Sequence, residues 1–309
     1  MIGFLTALGI TGVRIANSAI QTETKGIAIK HGPSVWIWDH PSDRFGGLSA
    51  VIVEDAGKSI VAASDRGTIF QGSIARSDGG IESIAVEREV EIRAPTEGEP
   101  ETNFLTDLEG LSRMQDGGLA LAYEGYARIR TREAIDAPSI TLHHWAEFQD
   151  YFGNGAFESL ATLPDGRLLF IVEEPKKFGS ATAFVLDGSE LSAPFSVPRS
   201  DGYLHTGSDL GPDECLYTLE RSFRVGAGFR FRFTRYWPAD GNWLNAANWN
   251  AEFLYESATA RMGNAEGLSV WTNGRTITMT VVTDDGFLPF TPTRMIEFEV
   301  SPGKCRGQS

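Results

Sequence analysis

The sequence predicts an all-β propeller of five or six blades, with about four antiparallel strands in each. Three observations carry the expectation: a motif that recurs through most of the chain, tight-turn signatures inside its copies, and the lack of a long amphipathic helix. The 309 residues, 41% hydrophobic and 22% charged with 34 glycines, suffice for a large single core joined by many turns.

Five copies of the motif start at Gly46-Gly47-Leu48-Ser49, Leu108-Glu109-Gly110, Phe157-Glu158-Ser159, Ser208-Asp209-Leu210 and Ala265-Glu266-Gly267, at spacings of roughly fifty to sixty residues. A short apolar run follows each start, then a turn such as Asp116-Gly117, Asp165-Gly166 or Asn273-Gly274. Asp-Gly and Asn-Gly mark tight hairpins because Gly and Asn accept the left-handed backbone these turns need. The second strands, at residues 59–63, 119–123, 168–172, 215–219 and 276–282, are nearly continuous apolar runs suited to burial on both faces. Further strands follow, and those at residues 229–234 and 294–300 alternate apolar with polar, as expected near an edge. Units of this kind cannot bury both faces alone, so they pack around an axis, and residues 26–39 are expected to complete the last blade. Residues 247–256 come nearest to a helix, and read equally well as a loop and outer strand.

Residues 1–24 read as a signal peptide or disordered leader and residues 25–309 as one propeller domain. The apolar run at 2–13 is too short to span a bilayer, and Ala16-Asn17-Ser18-Ala19 resembles a cleavage site. A periplasmic or secreted location is expected, with the cytoplasm as alternative. Cys215 and Cys305 lack C-x-x-C spacing; two separate thiols are the plainer reading, with pairing expected only on export. A net charge of −14 and a pI near 4.8 repel phosphate backbones, so no nucleic-acid partner is expected, and a phosphate substrate implies a bound cation.

The ordered succession Phe45-Gly46-Gly47-Leu48-Ser49, Ser64-Asp65-Arg66-Gly67, Asp107-Leu108-Glu109-Gly110-Leu111, residues 154–161, Leu219-Glu220-Arg221, Asn264-Ala265-Glu266-Gly267 and Thr283-Asp284-Asp285-Gly286 resembles the family called "esterase-like activity of phytase". The resemblance runs from about residue 26 to residue 300. It implies a bacterial, often exported β-propeller that hydrolyses an ester or phosphoester. The chain departs from the family's usual Leu-Glu-Arg-Arg at Ser222, from its Ser-Asp-Asp-Asn at Thr283 and Gly286, and from its Glu-Arg at Gly125.

In a propeller the first strand of each blade lines the axis, so residues distant in sequence converge. Glu109, Glu158 and Glu266, with Asp209 in register, are expected to form an acidic ring. Crowded carboxylates raise one another's pKa or demand a cation, and Ca²⁺, a hard oxygen-liganded ion, is the natural guest, with Asp284 as a further ligand. A second set, Asp65, Glu124, Glu173, Glu220 and Asp284, ends the second strands. Arg66, Arg128 and Arg221 accompany it, either as ion-pair partners or as clamps for an anionic substrate oxygen, and His205 is placed near the channel mouth. Metal-assisted hydrolysis of a small ester or phosphoester needs a base of raised pKa and no side-chain nucleophile. The candidate catalytic carboxylates are therefore Glu109, Glu158, Glu266, Asp65 and Glu220.

A competing reading makes Glu-Gly-Leu a packing device, in which Gly permits close backbone approach near the axis and acid–Arg pairs tie blades together. A monomer is expected. The alternative function is a non-catalytic propeller that binds a small ligand, a protein or a sugar, the last favoured by the Trp- and Asn-rich stretch at 236–249.

Overall fold

The hairpin signatures become strands that wind outward from a common axis in the computed structural model, which describes residues 12–15, 22–92, 106–151, 153, 155–173, 180–225, 228–257 and 262–305. Among the described residues three strands precede the first motif: β1 (Gly12–Ile15), β2 (Thr22–Lys25) and β3 (Ile29–Trp38). Blade I then comprises β4 (Leu48–Glu54), β5 (Ser59–Ser64), β6 (Thr68–Ser77) and β7 (Gly80–Glu91). Blade II comprises β8 (Leu108–Arg113), β9 (Leu119–Tyr123), β10 (Arg128–Arg132) and β11 (Ile140–His143). In blade III, β12 (Phe157–Thr162), β13 (Leu168–Val172) and β14 (Ser180–Asp187) are followed by β15 (Glu190–Leu191) and β16 (Phe195–Pro198), which both pair with β14.

Blade IV holds β17 (Leu204–Leu210), β18 (Leu216–Arg224), β19 (Gly228–Pro238) and β20 (Trp249–Ser257), with β2 on its edge. Blade V holds β21 (Asn264–Thr272), β22 (Ile277–Asp284) and β23 (Arg294–Val300), completed by β3 and β1. The chain is therefore an all-β propeller, with five blades among the described residues.

The ring is closed twice over. Each inner strand packs on the next, β4 on β8, β8 on β12, β12 on β17, β17 on β21, and β21 back on β4. The N-terminal β3 pairs antiparallel with the C-terminal β23, so the last blade is built from both ends of the propeller, as residues 26–39 were expected to do. Five apolar clusters fill the five gaps between neighbouring blades; the one between blades IV and V centres on Phe231, Phe233, Tyr255 and Phe298. Glycines make the inner packing tight. A Cβ on Gly267 would stand 2.8 Å from the Ala50 Cα, and one on Gly207 would stand 2.6 Å from the Glu266 carbonyl oxygen.

Two sequence expectations need correction, the edge placement of the alternating strands and the two separate thiols. β19 and β23 are interior strands, because β20 covers the first and β3 the second. Residues 247–256 take the loop-and-strand form of the two readings, a 3-10 turn at Ala246–Asn248 running into β20. Cys215 and Cys305 are bonded to each other, not separate thiols, and pin the C-terminal segment to blade IV. Within the stretch read as a leader, β1 and β2 pair with blades V and IV, while the cleavage-like residues 16–19 lie outside the described residues.

Candidate functional site

Every inner strand carries one β-bulge at the same place, and the bulge aligns the blades. The register shifts between Leu48 and Ala50, Leu108 and Gly110, Phe157 and Ser159, His205 and Gly207, and Ala265 and Gly267. The extra residues are thus Ser49, Glu109, Glu158, Thr206 and Glu266. A bulge re-aims one side chain while the flanking residues keep their faces. Directly beyond it, the equivalent positions at the end of the second strand are Asp65, Glu124, Glu173, Arg221 and Asp284. Two concentric sets therefore stand at one mouth of the propeller, with seven carboxylates among ten positions and Arg221 in the fourth blade's outer place.

Arg221 ties three blades together. Its guanidinium donates to Glu173 Oε1 at 2.6 Å and to Asn264 Oδ1 at 2.8 Å, bonds Glu266, and stands 3.9 Å from Glu158 Oε2. Burial alone would lower its pKa, but Glu266, Glu158 and Glu173 outweigh that and push it up, so the charge is fixed. Asn264 holds Glu266 at 2.7 Å and Asp284 at 3.1 Å. Glu124 accepts the amides of Gly155 and, at 3.2 Å, Ala156.

One arginine cannot balance this much negative charge. Burial, with Glu158, Glu266, Asp107 and Glu124 nearby, lifts Glu109 well above the carboxylate range, and Glu158 is lifted by burial, Glu173 and Glu266. Glu266 is pushed to about 8, chiefly by burial against the pull of Arg221. Glu124 rises to about 7 from burial, opposed by the Gly155 amide. Asp65 also reaches about 7, from burial and then from Asp284 and Asp107. Burial also raises the Asp107 carboxyl above its usual range, against the pull of Glu109 and Arg128 beside it. Among the described residues, two triads bring carboxylate oxygens within 4.8 Å of one another: Asp107, Glu109 and Glu124, and then Glu124, Glu158 and Glu173. Glu124 belongs to both.

Just below the ring the axis narrows, before it widens to a space of about 310 Å³ between the inner strands toward the turn end. The space bounded by Ser49, Glu109, Glu158 and Thr206 is about 10 Å³, room for no more than a water. A ligand therefore meets the carboxylates from outside, at the mouth.

The sequence model of one family, phytase-like, described as "esterase-like activity of phytase", matches residues 43–287, well over half of the chain. This chain belongs to the phytase-like family. A search of curated proteins finds no match. Among solved structures, the phytase-like chain is similar to a gluconolactonase from Xanthomonas campestris, at 12% identity over 93% of this chain and 99% of that one, with a TM-score of 0.47. It is also similar to a calcium-binding protein, regucalcin, from Agrobacterium tumefaciens, at 13% identity over 94% and 95% of the two chains, with a TM-score of 0.43. Identities this low carry no activity across.

The phytase-like ring gathers Glu109, Glu158, Glu266, Asp65 and Asp284, but not every residue named from sequence. Asp209 lies three positions past the bulge and accepts the amides of Val270 at 2.7 Å and Leu210 at 2.8 Å; Thr206 holds the ring position instead. Glu220 is one residue out of phase with the acids, fully buried, and accepts from Ser200 N at 2.8 Å and Ser200 Oγ at 2.5 Å. His205 is buried away from the mouth, its Nε2 donating to the Pro198 carbonyl at 3.0 Å. Arg128 is buried above the Tyr123 ring, 4.1 Å from its centroid, whereas Arg66 is exposed at the rim, its guanidinium 3.4 Å from the centre of the Phe287 ring. Sequence reasoning missed Asp107 as a ligand candidate. The signal was present: Asp107 precedes its bulge as Asn264 precedes that of blade V.

Proposed function

We propose that this propeller hydrolyses a small ester or phosphoester at its acidic mouth with the help of Ca²⁺. The observation that carries the reading is the pair of carboxylate triads sharing Glu124, set among seven ring carboxylates and one ring arginine. The donors suit a hard cation, being all oxygen, and Glu158 Oε2 is buried without a hydrogen-bond donor. Asp107, Glu109 and Glu124 would hold the ion, with Glu158 and Glu173 as the adjoining ligands. When bound, such an ion supplies positive charge opposite the substrate oxygen that gains charge as the bond breaks.

The chain's own residues then have separate tasks. Asp65, at the rim with a pKa of about 7, is the base that takes a proton from the attacking water. Arg66, on the same turn, meets an anionic oxygen of the substrate. Arg221 stays engaged with Glu158, Glu173 and Glu266 and holds the three blades in register.

The test is turnover of an aryl phosphate and acyl ester panel by the purified chain, with Ca²⁺ or with chelator. The expected result is turnover that needs Ca²⁺ and falls by about a hundredfold or more in Asp65→Asn. Equal turnover in chelator, or in both Asp65→Asn and Glu124→Gln, would overturn the reading. One arrangement favours a second reading, in which the ring is a structural centre: Arg221 spans three blades above close-packed glycines. Calcium that raises the melting temperature without turnover of any substrate would select it.

The Cys215–Cys305 bond supports a periplasmic or secreted location, since such bonds persist in oxidising compartments. No helix among the described residues is long and apolar enough to cross a membrane. A monomer is part of the same proposal, and size-exclusion chromatography checks it.

A further inference from the structure

A cavity of about 570 Å³ opens at the other end of the blades, where the turns between first and second strands lie. The blade III turn brings Pro164 and Asp165, the blade IV turn brings Glu214, the end of β19 brings Trp237 and the β19–β20 connection brings Trp243, with Asn250 and Lys304 completing the wall. Its volume falls within the roughly 300–1,000 Å³ typical of small-ligand sites. The geometry points to a second binding site here, for a neutral saccharide ring.

The chemistry of the walls selects that class. Trp243 is 5% exposed and packed edge-to-face on Trp249 at 5.5 Å, and Trp249 lies 6.0 Å from Tyr236, so the base under the cavity is fixed before any ligand arrives, while the half-buried Trp237 is the lining indole with surface left to meet one. Indole surfaces offer apolar area with little conformational entropy to lose, suited to the C–H face of a sugar. Asn250 and Glu214 supply hydrogen-bonding groups of the kind that bind hydroxyls. Among the described wall residues one base, Lys304, stands against two acids, so phosphorylated and other anionic ligands are disfavoured. Asp165 is already engaged by Arg167 at 2.7 Å, which argues against a metal. The wall that carries Lys304 ends in Cys305, held to Cys215 by the disulfide, so the site is complete only in the oxidised chain.

The site is independent of the acidic mouth, and its test needs no turnover. Glucose, galactose, xylose and cellobiose are titrated calorimetrically into the intact oxidised protein. At least one is expected to bind saturably, about tenfold more weakly in Trp237→Ala, and with near-normal affinity in Trp237→Phe. Glu109→Gln, at the far end, leaves that binding unchanged. No binding of any of the four sugars, or equal affinity in Trp237→Ala, would overturn the proposal. A loss in Trp237→Phe as large as that in Trp237→Ala would contradict the stacking role.

Discussion

The two ends of the same strands use their carboxylates in opposite ways. Toward the turn end, Glu54 and Asp213 are each met by donors: Glu54 takes a two-pronged bond from Arg113 at 2.7 and 2.9 Å, and Asp213 accepts from the Tyr217 hydroxyl at 2.9 Å and the Gly303 amide at 2.5 Å. At the mouth, seven carboxylates surround one ring arginine, and several keep protons near neutrality. Matched acids hold the fold together, whereas unmatched acids make it depend on something added, either a proton or a cation. That dependence is the physical content of the proposed site.

The largest break of this contrast is Arg221→Met. It strands Glu158, Glu173 and Glu266 together, and removal of one partner from a buried ionic network costs about 3–5 kcal/mol. Urea unfolding of the metal-free protein should show that loss, and Ca²⁺ should restore part of it. Reduction of Cys215–Cys305 comes next, with about 2–4 kcal/mol expected in the same measurement, because the bond links residues 90 apart in sequence.

A pH series sharpens the comparison. Asp65, Glu124 and Glu266 have pKa values raised to about 7, 7 and 8, so between the ordinary carboxylate range and pH 8 the folded chain holds protons that the unfolded chain has released. Stability contributed by those bound protons is full below the unfolded pKa and is lost as pH rises through the folded pKa. The melting temperature of the metal-free protein should therefore fall from pH 5 to pH 8. Gly267→Ala should cost about 1–3 kcal/mol, since the added methyl meets the Ala50 backbone, which cannot rotate away. The smallest effect belongs to the turn end: Arg113→Ala breaks a partly exposed pair with Glu54 and should cost about 1 kcal/mol or less.

Blade order, turn positions and the ring glutamates were legible in the sequence because turn chemistry, Glu-Gly-Leu at 109 and 266 with Glu-Ser-Leu at 158, and the acids Glu124 and Glu173 that end second strands are local signals. Residues displaced by a single step were not. The bulge inserts one residue into each inner strand, so the pair Glu220-Arg221 can be aligned in either phase, and only backbone pairing gives Arg221 rather than Glu220 the place in blade IV that Asp65 and Glu124 hold in blades I and II. Asp209 misled for a similar reason: the fourth copy of the motif has Thr206 where the others have Glu or Ser, and the next acid lies three residues on. The Cys215–Cys305 bond escaped because nothing local marks two cysteines as neighbours when a whole blade and a half separates them.

The most direct test of the central claim is a Ca²⁺ titration followed by thermal unfolding, on the wild-type chain and on Glu124→Gln, at pH 8 and pH 5. Glu124→Gln removes one charge shared by both triads, while its amide oxygen can still accept from Gly155 and Ala156. The expected result is a melting temperature that Ca²⁺ raises by several degrees at pH 8 and far less at pH 5, together with a Glu124→Gln variant that is more stable without metal and scarcely responds to it. Equal melting temperatures in Ca²⁺ and in chelator at pH 8, or an undiminished response in Glu124→Gln, would contradict it.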